Sequence, residues 1–173
     1  MNSRRFLLLM AYSLIILTLI FLPKMITLSL GQDILLKTAP VDPRDIFRGD
    51  YVNLRYDIST IDLDNTPYDH EFMIGESVYA SLSEKEKYWT IDSVSHRKPD
   101  VSDEDVCIKG VVTSSYDDTL NVRWGIESYF VPESEGVPIQ EQVKSTSVIV
   151  SVGPGCSAVL KQLLINGEPF TFE

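Results

Sequence analysis

Seventeen consecutive residues from Phe6 to Leu22, FLLLMAYSLIILTLIFL, carry no charge, no glycine and no proline. As a helix rising ~1.5 Å per residue they reach roughly 25 Å, a little less than the ~30 Å hydrocarbon core of a bilayer. Apolar character resumes past Pro23 and Lys24 in MITLSL, up to Leu30. The chain therefore divides into an N-terminal membrane anchor over residues 1–31, with a transmembrane helix over about 6–22 and an apolar extension to 30, and one domain over residues 32–173. Ser29 and Gly31 are small residues of the kind a signal peptidase accepts. The apolar run nevertheless exceeds the usual ~7 to 15 residue core of a cleaved signal, so a retained anchor is expected. Arg4 and Arg5 precede the run, and by the positive-inside rule they keep the N-terminus cytoplasmic. The expected location is the cell membrane, with a single pass and the C-terminal domain outside the cytoplasm.

Beyond Lys24 the chain holds 12 Lys and Arg against 25 Asp and Glu, a net charge of −13. Such a surface repels phosphate backbones and anionic lipid heads, which excludes nucleic acid as an expected partner. The two cysteines, Cys107 and Cys156, both fall on the exported side, where an oxidising compartment permits a disulfide. Spacing alone does not place their Cα atoms within bonding reach, so a bonded pair and two small core thiols are both open readings.

The exported part reads as short strands. DILLKT is an apolar run ending before Pro40, and Tyr51 to Ile58 alternates strictly, with Val52, Leu54, Tyr56 and Ile58 on one face. STIDLDNTPYDHE is polar and predicts a surface loop. GESVYASLSE and KYWTIDSVSHR flank the charged tip Glu84 to Lys87 as a hairpin, and KPDVSDEDV follows as an acidic loop. CIKGVVTSS, LNVRWGI and ESYFV supply three more β-rich segments around a turn at Tyr116 to Thr119. Pro132 to Gln142 suits a short helix. TSVIVSVG, AVLKQLLI and EPFTF close the chain, with Asn166-Gly167 as a two-residue hairpin turn. Short strands at a spacing of ~8 to 15 residues, with almost no helical period, predict a mainly β fold: a single exported sandwich or barrel-like domain with one or two short helices.

PVDPRDIFRGDYVNLRYDI, from Pro40 to Ile58, packs prolines and opposite charges before a strand. Asp42 at an N-cap and Pro43 at the first helical position predict one turn of helix. That turn gathers Arg44, Asp45 and Arg48 beside Gly49, at a sharp entry to the strand. Arg48-Gly49-Asp50 also spells an adhesion tripeptide, but a corner feeding a strand lacks the protruding loop that recognition needs.

Gly49-Asp50-Tyr51-Val52-Asn53-Leu54-Arg55-Tyr56 resembles the signature of the GDYXXLXY family, and PVDPRDIFR resembles its usual lead-in. A second block, GIESYFVPESEG from Gly125 to Gly136, is similar to the family's Tyr-Phe-Val-Pro-Glu run before a glycine. The resemblance extends over most of the chain. It implies a bacterial, membrane-anchored cell-envelope protein without an established activity, of a kind often encoded beside a multi-spanning membrane protein.

No nucleophile and base stand in a readable pairing. His70 and His96 lie in polar, loop-like contexts, and Cys156 lacks the setting of a sortase cysteine. Signal-peptidase chemistry fails for want of a Ser-Met near the anchor and a partnered lysine. Asp62, Asp64, Asn65, Asp69 and Glu71 offer oxygen donors of the kind calcium takes, yet Pro67 stands where an EF-hand loop demands glycine. An ordinary acidic loop, no metal and no cofactor are expected. Glu133, Glu135 and Glu141 suit the first turn of a helix. The expected function is binding or assembly with a multi-spanning membrane protein rather than catalysis. Its expected patch is Arg44, Asp45, Arg48, Asp50, Tyr51, Arg55 and Tyr56 from the first block, with Tyr129, Glu133 and Glu135 from the second. An arginine of one block is expected to pair with a glutamate of the other. The alternative is a cell-envelope hydrolase using Asp50 and Glu133.

Overall fold

A computed structural model describes residues 3–39, 51–100, 102, 105–130 and 146–170. The apolar run forms one helix, α1 (Ser3–Leu30), which continues through Pro23 and Lys24 and takes in the apolar extension to Leu30. A proline inside a helix strands one carbonyl, a defect that helices in apolar surroundings tolerate. Over Leu7–Leu30 the helix is long and apolar enough to cross a membrane, and almost all of its side chains are exposed.

Twelve short strands among the described residues make the domain mainly β. They are β1 (Gln32–Ala39), β2 (Tyr51–Asn53), β3 (Arg55–Tyr56), β4 (Thr60–Asp62), β5 (Ser77–Lys85) and β6 (Tyr88–Ser95), then β7 (Val106–Tyr116), β8 (Thr119–Arg123), β9 (Ser128–Phe130), β10 (Thr146–Val152), β11 (Ala158–Ile165) and β12 (Glu168–Pro169). One five-stranded sheet runs β12-β11-β10-β1-β3, a second runs β4-β8-β7-β5-β6, and β2 pairs with β9. The named ladders are antiparallel. The hairpin turns fall where charged or Asn-Gly tips were expected, with positive φ at Glu86, Asp117 and Asn166.

Inward positions of both sheets form one core, including Ile34, Leu36, Leu82, Ile108, Val148 and Leu163. β1 also lies against β6, so the sheets close on each other at that side. Cys107 on β7 is disulfide-bonded to Cys156 in the loop after β10, with Cα atoms 4.8 Å apart. Of the two readings open in the sequence, the bonded one holds, and the bond staples one sheet to the other.

Two expectations change. Tyr51 to Ile58 is not one strand: Tyr51–Asn53 pairs with β9, Arg55–Tyr56 pairs with β1, and Asp57–Ser59 is a turn of 3-10 helix. Strict alternation survives the break because Leu54, Tyr56 and Ile58 all still face the core. The polar stretch after Ser59 is not loop throughout, since Thr60–Asp62 is β4 and buries Ile61 against β8. The 3-10 turn is the short helix found among the described residues. The turn expected at Asp42 and the helix expected over 132–142 fall outside them.

The helix is joined to the sheets without a linker, since Gly31 alone separates α1 from β1. Thr27, in the last turn of α1, is 2 % exposed. Its hydroxyl lies 2.8 Å from Ser157 Oγ, and its carbonyl accepts from Ser151 Oγ at 2.7 Å and from the Gly31 NH at 2.9 Å. A Cβ on Gly153 would stand 2.6 Å from Thr27 Oγ1, and one on Gly31 would collide with the Thr27 carbonyl. Only glycine permits this approach, so the end of α1 is keyed into the β10–β11 sheet.

Candidate functional site at the signature corner

Asn53 and Leu54 stand where the chain passes from one pairing to the next. Tyr51, Val52 and Asn53 oppose Phe130, Tyr129 and Ser128, so the ends of the two sequence blocks meet in one ladder. The Leu54 NH donates to the Glu127 carbonyl at 2.7 Å and extends that contact.

Tyr56, the last residue of the signature, is 1 % exposed, and its hydroxyl donates to the Ile126 carbonyl at 2.5 Å. Burial, reinforced by the nearby Glu127 charge, pushes its phenol far above the ordinary tyrosine range, so it stays neutral. Glu127 in turn accepts from the Trp124 NH at 2.5 Å and the Gly125 NH at 2.9 Å, and fixes the turn before β9. Trp124 closes the corner by donating its indole NH to the Ile58 carbonyl at 3.2 Å. Leu54 and Tyr56 are therefore framework, and Tyr56 places its ring in the core instead of on a contact surface.

Arg55 points the other way. Its guanidinium donates to Thr60 Oγ1 at 2.8 Å and Asn121 Oδ1 at 3.1 Å. It lines an open cleft of about 440 Å³ with Thr113, Ser114, Asn121, Arg123 and Glu127. The cleft thus carries two arginines and one carboxylate, Glu127, which is already committed to backbone NH groups. In a domain this acidic, such a cleft favours acceptor-rich or carboxylate ligands.

Of the sequence-predicted patch, Arg55 is on this cleft, Tyr56 is buried in the core, and Tyr51 and Tyr129 are in the β2–β9 ladder. Tyr129 is half-buried against the core, and that burial pushes its phenol up. Arg44, Asp45, Arg48, Asp50, Glu133 and Glu135 lie outside the described residues, and so does the expected pairing of an arginine with Glu133 or Glu135. Thr113, Asn121, Arg123 and Glu127 were missed by sequence reading. Glu127 was legible in principle, as an acid two residues after a glycine inside the second block.

A second cluster assembles both histidines of the chain. The loop after β4 returns beside β6 through the Val94 NH, which donates to the Pro67 carbonyl at 3.0 Å, and through a parallel bridge between Tyr68 and Val94. Asp69 accepts from the His96 backbone NH at 2.9 Å and lies 2.8 Å from His96 Nδ1. Glu76 Oε2 lies 3.4 Å from His96 Nε2, and Phe72 stacks on the His96 ring at 4.1 Å. Partial desolvation pushes the Asp69 carboxyl up, but the NH groups of His96 and His70 and the His96 ring outweigh it and hold it at about 2. The hydrogen bond to Asp69, aided by Glu76, raises His96 against the opposing effect of desolvation. The supposed calcium loop is otherwise engaged: Asp62 accepts from the Asp64 NH and the Asn65 amide at 3.0 and 2.7 Å.

A long apolar helix keyed to two disulfide-stapled sheets, with the eight-residue signature spent partly on the corner between them, defines a β-domain built onto a single helix. By its sequence the chain belongs to the GDYXXLXY protein family, whose model matches residues 13–163. That match spans the helix from Ser13 onward, both blocks and most of the final sheet. Neither a curated protein nor a solved structure matches the chain.

Proposed function

We propose that this protein is a single-pass cell-envelope protein that binds and helps assemble a multi-spanning membrane protein, and that it is not an enzyme. The observation that carries this reading is the keyed joint at Thr27, Ser151, Gly153 and Ser157. A domain meant to search solution or reach a distant substrate gains from a flexible tether. A domain fixed to its helix holds one bearing toward the bilayer, which suits a partner embedded in the same membrane. The joint also supports a retained anchor, since cleavage after Gly31 would remove Thr27 from the packing of the β10–β11 sheet. The Cys107–Cys156 bond supports a domain outside the cytoplasm, where disulfides persist.

The Arg55–Arg123 cleft is the contact we assign to the partner, through acceptor groups on one of its extramembrane loops. A photo-crosslinking residue at Thr113 or Arg123, both exposed on the cleft, is expected to capture an integral membrane protein in native membranes, while one at Tyr116 on the β7–β8 turn is not. Equal capture from all three positions, or none from Thr113 and Arg123, overturns the assignment. Hydrolysis is the competing reading. Turnover of peptide, ester or glycan substrates by the purified chain, abolished in a folded Asp50→Asn variant, would replace binding with catalysis.

A further inference from the structure

We propose that Asp69, His70 and His96 form a binding site for one divalent transition-metal ion of the zinc class. The chain has two histidines, and the fold brings both to one place beside a carboxylate although 26 positions separate them in sequence. One donor atom from each of the three residues lies within 4.8 Å of the others. Donors sharing a zinc-like ion at ~2.0 to 2.2 Å stand roughly 3 to 3.5 Å apart, so a slight opening of the Asp69–His96 pair and an approach by His70 complete the set. Asp69 and His96 are already at 2.8 Å, and Asp69 Oδ2 is 3.9 Å from His70 Nδ1. The remaining approach falls to His70, whose side chain is 85 % exposed and free to swing.

The surroundings are those of a ligand histidine. With an ion on Nδ1, in place of the hydrogen bond to Asp69, the opposite NH at Nε2 donates to Glu76, whose Oε2 is 3.4 Å away. A ligand imidazole ordinarily has such a carboxylate behind it, which fixes its tautomer and raises its basicity. Glu76 is itself held by the Met73 NH at 2.8 Å, and Phe72, 4 % exposed, stacks on the imidazole and fixes its plane. Asp69 is tied to the backbone of both histidines. Two imidazoles and one carboxylate select zinc, cobalt or nickel over calcium and magnesium, which prefer all-oxygen sets. Three protein donors leave a coordination position open to water or to a side chain from outside.

The test is a Co2+ titration of the full chain in detergent, prepared without a polyhistidine tag and followed by visible absorbance. The expected result is saturation at one ion per chain, displacement by equimolar Zn2+, and no displacement by Ca2+ at the same concentration. Because His96→Ala also removes a tie within the loop, the deciding variant is His70→Ala, whose exposed ring contributes little to the fold. It is expected to weaken Co2+ binding at least tenfold. A smaller loss in His70→Ala, displacement by Ca2+, or absence of saturable absorbance overturns the site.

Discussion

Tyr56 and Ile126 stand 70 positions apart, and one hydroxyl joins the two sequence blocks through them. Replacing that hydroxyl by hydrogen leaves the Ile126 carbonyl without its donor in the core. Tyr56→Phe is therefore expected to cost about 1 to 3 kcal/mol in denaturant unfolding of the full chain. The same side chain sets a pH dependence. Its phenol ionises far less readily folded than unfolded, so its contribution is complete below the ordinary tyrosine value of 10.0 and is lost as pH rises beyond it. Stability of the parent chain should fall more steeply above pH 10 than that of Tyr56→Phe, and parallel curves would contradict the assignment. Alternation alone made Leu54, Tyr56 and Ile58 legible as inward-facing, because a side chain's face depends only on the pleat. What Tyr56 reaches for was not legible, since a hydroxyl's partner is chosen by tertiary approach. The histidines show the same limit: each sits among polar neighbours, and a tertiary return of the loop beside β6, through the Val94–Pro67 hydrogen bond and the Tyr68–Val94 bridge, makes them adjacent.

Between elements, the strand from Tyr51 to Ile58 shows how pattern and pairing part company. Its period of two is continuous, yet β2 and β3 belong to different ladders, because inward facing is a local property and hydrogen-bond partnership is not. Thr60–Asp62 escaped for the converse reason: with one apolar residue, Ile61, it is too short for a period to register. The joint between α1 and the sheet makes an element-scale prediction. Gly153→Ala is expected to destabilise the full chain by roughly 1 to 3 kcal/mol through overpacking against Thr27. Gly155→Ala, where a Cβ meets open space, is the control and should change little. Equal effects in the two variants, read by denaturant unfolding in detergent, would mean that the helix end is not held by close packing.

Across the whole molecule, the disulfide closes a loop of 49 residues between two sheets that share one core. Replacing Cys107 and Cys156 together by alanine should lower stability by roughly 2 to 4 kcal/mol. In protein taken from its native compartment, neither thiol should react with a maleimide before reduction. Ready labelling without reduction would place the domain in a reducing compartment and reverse the proposed topology. Protease added to spheroplasts tests the same point independently, with degradation of the domain expected. The linker-free joint makes the helix a steering column for the domain. With Gly31 the sole residue between helix and sheet, a rotation of α1 about its own axis turns the entire domain by the same angle, and a tilt of α1 tilts the domain with it. If α1 crosses a bilayer as proposed, the compass direction in which the Arg55 cleft faces is set by the face of the helix that its surroundings there select.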